Sequence, residues 1–117
     1  MHTKSTIHIP FTREVDLARK KFIDSLSEFP SSVRISTTAL VKNRIRRASS
    51  RPLLGEHLPW LMADIVGVRN EKAIYQLTVS WLHLYFFILI ADDLIDRRLP
   101  PYNGTELISS YLLLERG

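Results

Sequence analysis

The chain has 117 residues, 45% of them hydrophobic and 24% charged, with no cysteine and a net charge of +4 from 16 basic and 12 acidic residues. That is the balance of one globular domain or part of one, and it excludes a disulfide scaffold, a thiolate metal site and a low-complexity disordered chain. The basic excess is concentrated in Lys42, Arg44, Arg46, Arg47 and Arg51, so an anion such as phosphate is expected near that region.

Residues 1–10 are mixed in character, end in Pro10 and lack the apolar run and small-residue cleavage site of a secretory leader. They predict a flexible, extended arm, with the cytoplasm as the default compartment. From Phe11 the spacing changes. Thr12 is placed to cap a helix, Glu14 and Asp16 follow in its first turn, and Val15, Ala18, Phe22, Leu26 and Phe29 recur at intervals of three or four. Pro30 ends that helix. Ser31 and Ser32 offer a second cap, and a helix through Arg47 puts Val41, Ile45 and Ala48 on one stripe with basic residues in two rows beside it. Rows split in this way suit a solvated, core-packed helix better than a face that binds nucleic acid.

Arg51 precedes Pro52, which marks a boundary and the start of a further element. Leu54, Leu58, Leu61, Met62, Ile65 and Val66 predict an apolar helical face that stops at Gly67. Pro59 leaves two options, a kinked helix or a short turn followed by a helix that begins near it. Asn70 then caps the longest predicted helix, which could run to Arg98, about 43 Å at ~1.5 Å per residue. Pro100 and Pro101 end it, Asn103 and Gly104 predict a turn, and Thr105 and Glu106 open a last helix through Leu114. No segment alternates with a period of two. The predicted class is all-α, a helical bundle.

The long helix carries an unusual junction, in which a bulky apolar run from Trp81 to Ala91 leads directly into Asp92, Asp93 and Asp96. Asp92 and Asp96 lie one turn apart on one side, and Asp93 lies about 100° round from Asp92. Like charges at that spacing repel, and at a mostly buried helix end the cost grows unless a cation offsets it. Mg²⁺ suits such a site because it takes one or two carboxylates together with substrate phosphates and water. Stepping back along the Asp92 side, the wheel gives Leu89, Ile88, Tyr85, Trp81, Thr78 and Ile74 as an apolar wall, the shape of site that an amphiphilic substrate needs. The plain alternative is a core helix with a solvated acidic end.

Asp92-Asp93-Leu94-Ile95-Asp96 on a long apolar helix resembles the first aspartate-rich motif of the class I isoprenoid synthases, the trans-prenyltransferases (polyprenyl diphosphate synthases) and class I terpene cyclases. Arg51-Pro52-Leu53-Leu54 is similar to the Arg-Pro segment that opens a helix in the prenyltransferases. The resemblance implies an isoprenoid synthase-type helical fold with Asp92, Asp93 and Asp96 at a Mg²⁺ site, Asp93 serving as ligand or support. It implies Arg51 as a diphosphate ligand, with Arg47 able to stand in for a family lysine that is Ala48 here, and Trp81, Tyr85, Ile88 and Leu89 as the hydrophobic pocket. The implied substrate is an allylic prenyl diphosphate, ionised for attack by isopentenyl diphosphate in chain elongation or for cyclisation by its own double bonds. A homodimer is compatible with it.

The chain departs from the family at several positions. Tyr85 stands where the family has a diphosphate-binding histidine, and His83, on the other side of the helix, is expected to be a core or interhelical histidine. Arg97 and Arg98 follow the last aspartate without the family's gap. Family members complete their metal cluster with a second acidic motif, whereas after Asp96 there are only the isolated Glu106 and Glu115. Residues 11–117 are therefore expected to be a partial domain, truncated on its C-terminal side and inactive alone. Two readings of other classes stand beside this one. The first is a non-catalytic helical interaction module. The second is a membrane span over 77–91, which is shorter than the roughly 20 residues required and interrupted by Thr78, Ser80 and His83, so no integral span is expected.

Overall fold

The computed structural model describes residues 10–47, 53–95 and 105–117. Among them every regular element is helical, as the pattern requires: α1 (Thr12–Ser25), a 3₁₀ turn (Leu26–Glu28), α2 (Ser31–Arg47), a second 3₁₀ turn (Leu54–His57), α3 (Leu58–Val66), α4 (Glu71–Ile95) and α5 (Thr105–Arg116). Residues 1–9 of the predicted arm, Ala48, Arg51, Pro52, Asp96, Arg97, Arg98 and the Pro-Pro and Asn-Gly signals lie outside the described residues.

The α1 stripe forms as its spacing predicts, with Val15, Ala18, Phe22, Leu26 and Phe29 all buried. Its start differs from expectation. Thr12 is the first helical residue and Phe11 takes the cap position in a left-handed conformation (φ 66°), with no side-chain cap. The Phe11 ring stacks on Trp60 at 5.5 Å between centroids, so apolar anchoring has displaced hydroxyl capping at this end. At α2, Pro30 supplies the carbonyl for the Val33 and Arg34 N–H groups at 3.0 and 2.9 Å. The buried side of α2 carries Val33, Thr37 and Val41, and Thr37 Oγ1 donates to Ser109 Oγ of α5 at 2.8 Å.

The Pro59 alternatives resolve in favour of a turn followed by a helix. Leu54–His57 is 3₁₀, and Pro59 sits in the first turn of α3, where a missing N–H costs little. Gly67 (φ 83°) ends α3, with the Val68 N–H donating to the Ala63 carbonyl at 2.9 Å. The predicted apolar face of this segment is not a core face. Leu54, Leu58, Met62, Ile65 and Val66 are exposed, Ile65 by 76%, while Leu53, Pro59 and Trp60 are the buried residues.

Helix α4 is the centre of the assembly and touches each of the other four helices. Asn70 caps it as predicted, its Oδ1 accepting the Ala73 N–H at 3.1 Å. Its core line is Leu82, Phe86 and Ile90, which meet Phe22, Leu26 and Phe29 from α1 and its following turn, Val33 and Val41 from α2 and Leu113 from α5. Phe86 stacks on Phe22 at 5.2 Å. Val15, Trp60 and Ile74 form a smaller second cluster under α3.

His83 is the expected core histidine. It is buried edge-on to Phe22 at 4.7 Å, with Nδ1 2.9 Å from the Val79 carbonyl and Nε2 3.2 Å from Ser25 Oγ. Burial, assisted by Arg116, pushes its pKa below the ordinary 6.5, against the opposing pull of the Val79 hydrogen bond and Glu28. The unfolded chain then binds the extra proton between the folded value and 6.5, so stability is expected to fall as pH drops below 6.5 and to level off below the folded value. Urea midpoints at about pH 7.5 and about pH 5.5 check this, since His83→Gln should flatten the acid limb relative to the parent chain.

Candidate functional site

The basic end of α2 and the acidic end of α4 meet at one end of the bundle. Asp93 is only 2% exposed, and Arg47 donates to it through both guanidinium arms, Nη1 to Oδ2 at 2.7 Å and Nη2 to Oδ1 at 3.4 Å. Arg44 stands on the same carboxylate, with Nε 3.8 Å from Oδ2; that nitrogen is buried and makes no hydrogen bond. The local helical reason is plain. Asp93 falls on the Leu82–Phe86–Ile90 side of α4, so its carboxylate points into the bundle, where only a charge-assisted pair makes burial tolerable. Asp92, one step round the helix, is exposed.

The sequence-predicted residues are thus partly gathered. Arg47 and Asp93 come into direct contact, Asp92 lies beside them, and Asp96 and Arg51 lie outside the described residues. Among the described residues no group of three or more His, Asp or Glu side chains is assembled as a metal cage. Arg44, which helical spacing places on a flank of the α2 stripe, also belongs to this site. Only its place relative to Asp93 in the fold identifies it.

The predicted wall is narrower than the helical wheel gives. Thr78 and Ile74 are buried in the interior, and Thr78 Oγ1 donates to the Ile74 carbonyl at 2.7 Å. Tyr85 and Leu89 are half-buried against the main core. What stays open on the Asp92 side is Leu77, part of Trp81, and Ile88, which is 47% exposed. Trp81 and Tyr85 stack at 5.9 Å, and the indole Nε1 donates to the Gly55 carbonyl at 2.7 Å. A Cβ at Gly55 would overlap the Tyr85 ring, so only glycine lets the 3₁₀ turn come this close to α4.

The same turn buries Glu56 completely, against Arg19 of α1. Arg19 Nε donates to Oε2 at 2.8 Å and Nη2 pairs with Oε1, which raises the arginine pKa above its ordinary value. Burial, with the nearby Glu56 charge, also raises the Tyr85 pKa, so its hydroxyl keeps its proton at neutral pH. Beyond Trp81 an apolar groove of about 450 Å³ opens between α3 and α4, lined by residues that include Leu58, Met62, Val66, Ile74 and Leu77. By length and composition α4 is apolar enough to cross a membrane, a property that the core helix of a soluble bundle shares.

No family model, curated protein or solved structure matches the chain.

Proposed function

We propose that the chain carries the first-motif side of a Mg²⁺–diphosphate site for isoprenoid biosynthesis, ionising an allylic prenyl diphosphate for chain elongation as in the polyprenyl diphosphate synthases it resembles. One observation carries the proposal. Arg47 and Asp93, 46 residues apart in sequence, are joined at 2.7 Å beside Asp92, where the open apolar strip of α4 ends. Acid for a cation, base for an anion and hydrocarbon for a tail therefore adjoin one another.

The donor chemistry fits Mg²⁺ in part. Asp92 offers hard carboxylate oxygen at an exposed helix end, with Asp96 one helical turn further by sequence, while Asp93 is committed to two arginines and so supports the site without ligating. Bound Mg²⁺ would supply charge neutralisation for the departing diphosphate. The chain's own residues do the rest. Arg47 and Arg44 present guanidinium donors to phosphate oxygens, and Asp93 fixes their direction from inside the bundle. Isopentenyl diphosphate is the acceptor in this reading. Cyclisation is the second reading, favoured by the stacked Trp81–Tyr85 pair, whose ring faces can stabilise a carbocation.

The test is calorimetric binding of inorganic pyrophosphate to the chain with and without Mg²⁺. Binding should tighten by about tenfold or more with the metal, and Asp92→Asn should remove that gain. Pyrophosphate binding that is indifferent to Mg²⁺, or a gain that survives Asp92→Asn, would sink the proposal.

A further inference from the structure

The crest of α3 is left in water. Leu58, Met62 and Ile65 share one stripe at helical spacing, and Val66, Val68 and Leu77 stand beside it, all of them exposed. Their exposures amount to roughly 600 Å² of largely apolar surface, the upper end of the largest patch on a typical monomer. On the α4 side of the stripe the surface is concave, an apolar groove of about 450 Å³. A face of this size and chemistry implies an occupant.

Three kinds of occupant differ in what they require. A small molecule is oriented by a few placed polar groups, and the groove offers none: the Trp81 N–H is taken by the Gly55 carbonyl at 2.7 Å, and the other lining side chains are hydrocarbon apart from the Met62 sulfur. A lipid surface favours a face with a basic flank. Where α3 gives way to α4 the exposed charges are instead balanced, Asp64 and Glu71 against Arg69 and Lys72, with Arg69 Nη1 3.8 Å from Asp64 Oδ1. A balanced set suits a second copy, because across a two-fold axis each sign can meet its opposite. The shape is self-complementary as well. Ridges of one helix fill grooves of another, so a two-fold axis lets the Met62–Ile65 crest of each copy enter the groove of the other. Covering the patch on both copies removes roughly 1,200 Å² from water, the size at which specific interfaces begin.

We infer that α3 and the adjoining side of α4 form an isologous interface between two copies of this chain, anchored by Met62 and Ile65. The interface is independent of the diphosphate reading, since Asp92 lies roughly 16 Å along α4 from Trp81, the groove residue nearest to it in the helix. It accounts for an apolar periodicity in α3 that no other helix of the same chain covers.

The experiment is sedimentation velocity of the chain from about 1 to about 200 µM, where a reversible monomer–dimer equilibrium with a Kd of about 100 µM or tighter is expected. Ile65→Lys and Met62→Lys change exposed side chains outside the core, so far-UV circular dichroism should stay unchanged while each weakens the dimer by about tenfold or more. Ile35→Lys makes the same charge change on α2, at a residue 82% exposed and off the proposed face, and should leave the Kd within about twofold. A chain that stays monomeric to about 200 µM overturns the inference, as does growth into open-ended aggregates or a dimer that both face substitutions leave intact. A dimer that Ile35→Lys weakens as much as Ile65→Lys is non-specific association and overturns it too. Co-sedimentation with neutral lipid vesicles by a chain that is monomeric without them assigns the face to a membrane instead.

Discussion

Arg19→Ala is expected to cost about 3–5 kcal/mol of folding stability, the loss that follows when one partner of a buried ion pair is removed and the other is left behind. Glu56 is the reason. Its side chain is fully buried and both carboxylate oxygens are taken by Arg19, so deleting the guanidinium strands a charge between α1, the Leu54–His57 turn and α4. The pair itself contributes less than that figure, because desolvation of the two groups offsets much of their attraction. Arg19→Met combined with Glu56→Leu should therefore recover most of the loss, and Glu56→Gln alone should cost less than Arg19→Ala, since an amide is cheaper to bury than a carboxylate. Urea denaturation of the three variants checks the ordering, and an Arg19→Ala cost under about 1 kcal/mol would show that the pair is solvated in solution. The consequence reaches the site. Glu56 anchors the turn whose Gly55 carbonyl holds the Trp81 indole and whose closeness confines the Tyr85 ring. Loosening the turn should thus also loosen Trp81, which lines the α3–α4 groove.

How far the sequence reveals this arrangement depends on how one-sided each element is. In α1 the bulk of the apolar residues keep one stripe, with Leu17 outside it, and each predicted core position is buried. The Asn70 cap and the Gly67 stop are local chemistry, independent of what packs nearby, and both are present in the structure. Helix α4 is different. From Trp81 to Ala91 it is apolar nearly all the way round, so the wheel can rank angles but cannot say which angle faces the other helices. The Asp92 side is identified as a wall by its acid, yet the tertiary packing puts the core line through Leu82, Phe86, Ile90 and Asp93. Thr78 and Ile74 are drawn inward by the same rotation. In α3 the failure runs the other way: a periodic apolar set normally signals a covered face, and here most of it is open. Glu56, an acid in a short turn, carries no local sign that Arg19 will meet it. Long-range pairing of opposite charges is a property of the fold, and the spacing of residues along the chain does not encode it.

The adjacent aspartates offer the sharpest separation of structure from chemistry. Asp93→Ala is expected to cost about 1–3 kcal/mol, because it removes the acceptor of a bidentate Arg47 pair and leaves Arg44 Nε buried without a counter-charge. The loss stays below that of Arg19→Ala because the arginine side chains at this end are 23% and 35% exposed and can turn towards water, an escape that fully buried Glu56 lacks. Asp92→Asn should move stability by only about 0.5 kcal/mol in either direction, as is usual at an exposed position. Near the C-terminal end of α4 a negative charge also opposes the helix dipole and repels Asp93, so its removal relieves as well as removes. The ligand-binding result should divide differently. Asp92→Asn should abolish the Mg²⁺-dependent gain in pyrophosphate affinity while leaving metal-free binding intact. Asp93→Ala should weaken pyrophosphate binding with and without the metal, because what it disturbs is the direction of Arg44 and Arg47. Denaturation and calorimetry on the two variants therefore read opposite orders, Asp93 dominant in stability and Asp92 dominant in metal dependence. If one order holds in both measurements, the two carboxylates do the same job, and the division of roles drawn from their burial is wrong.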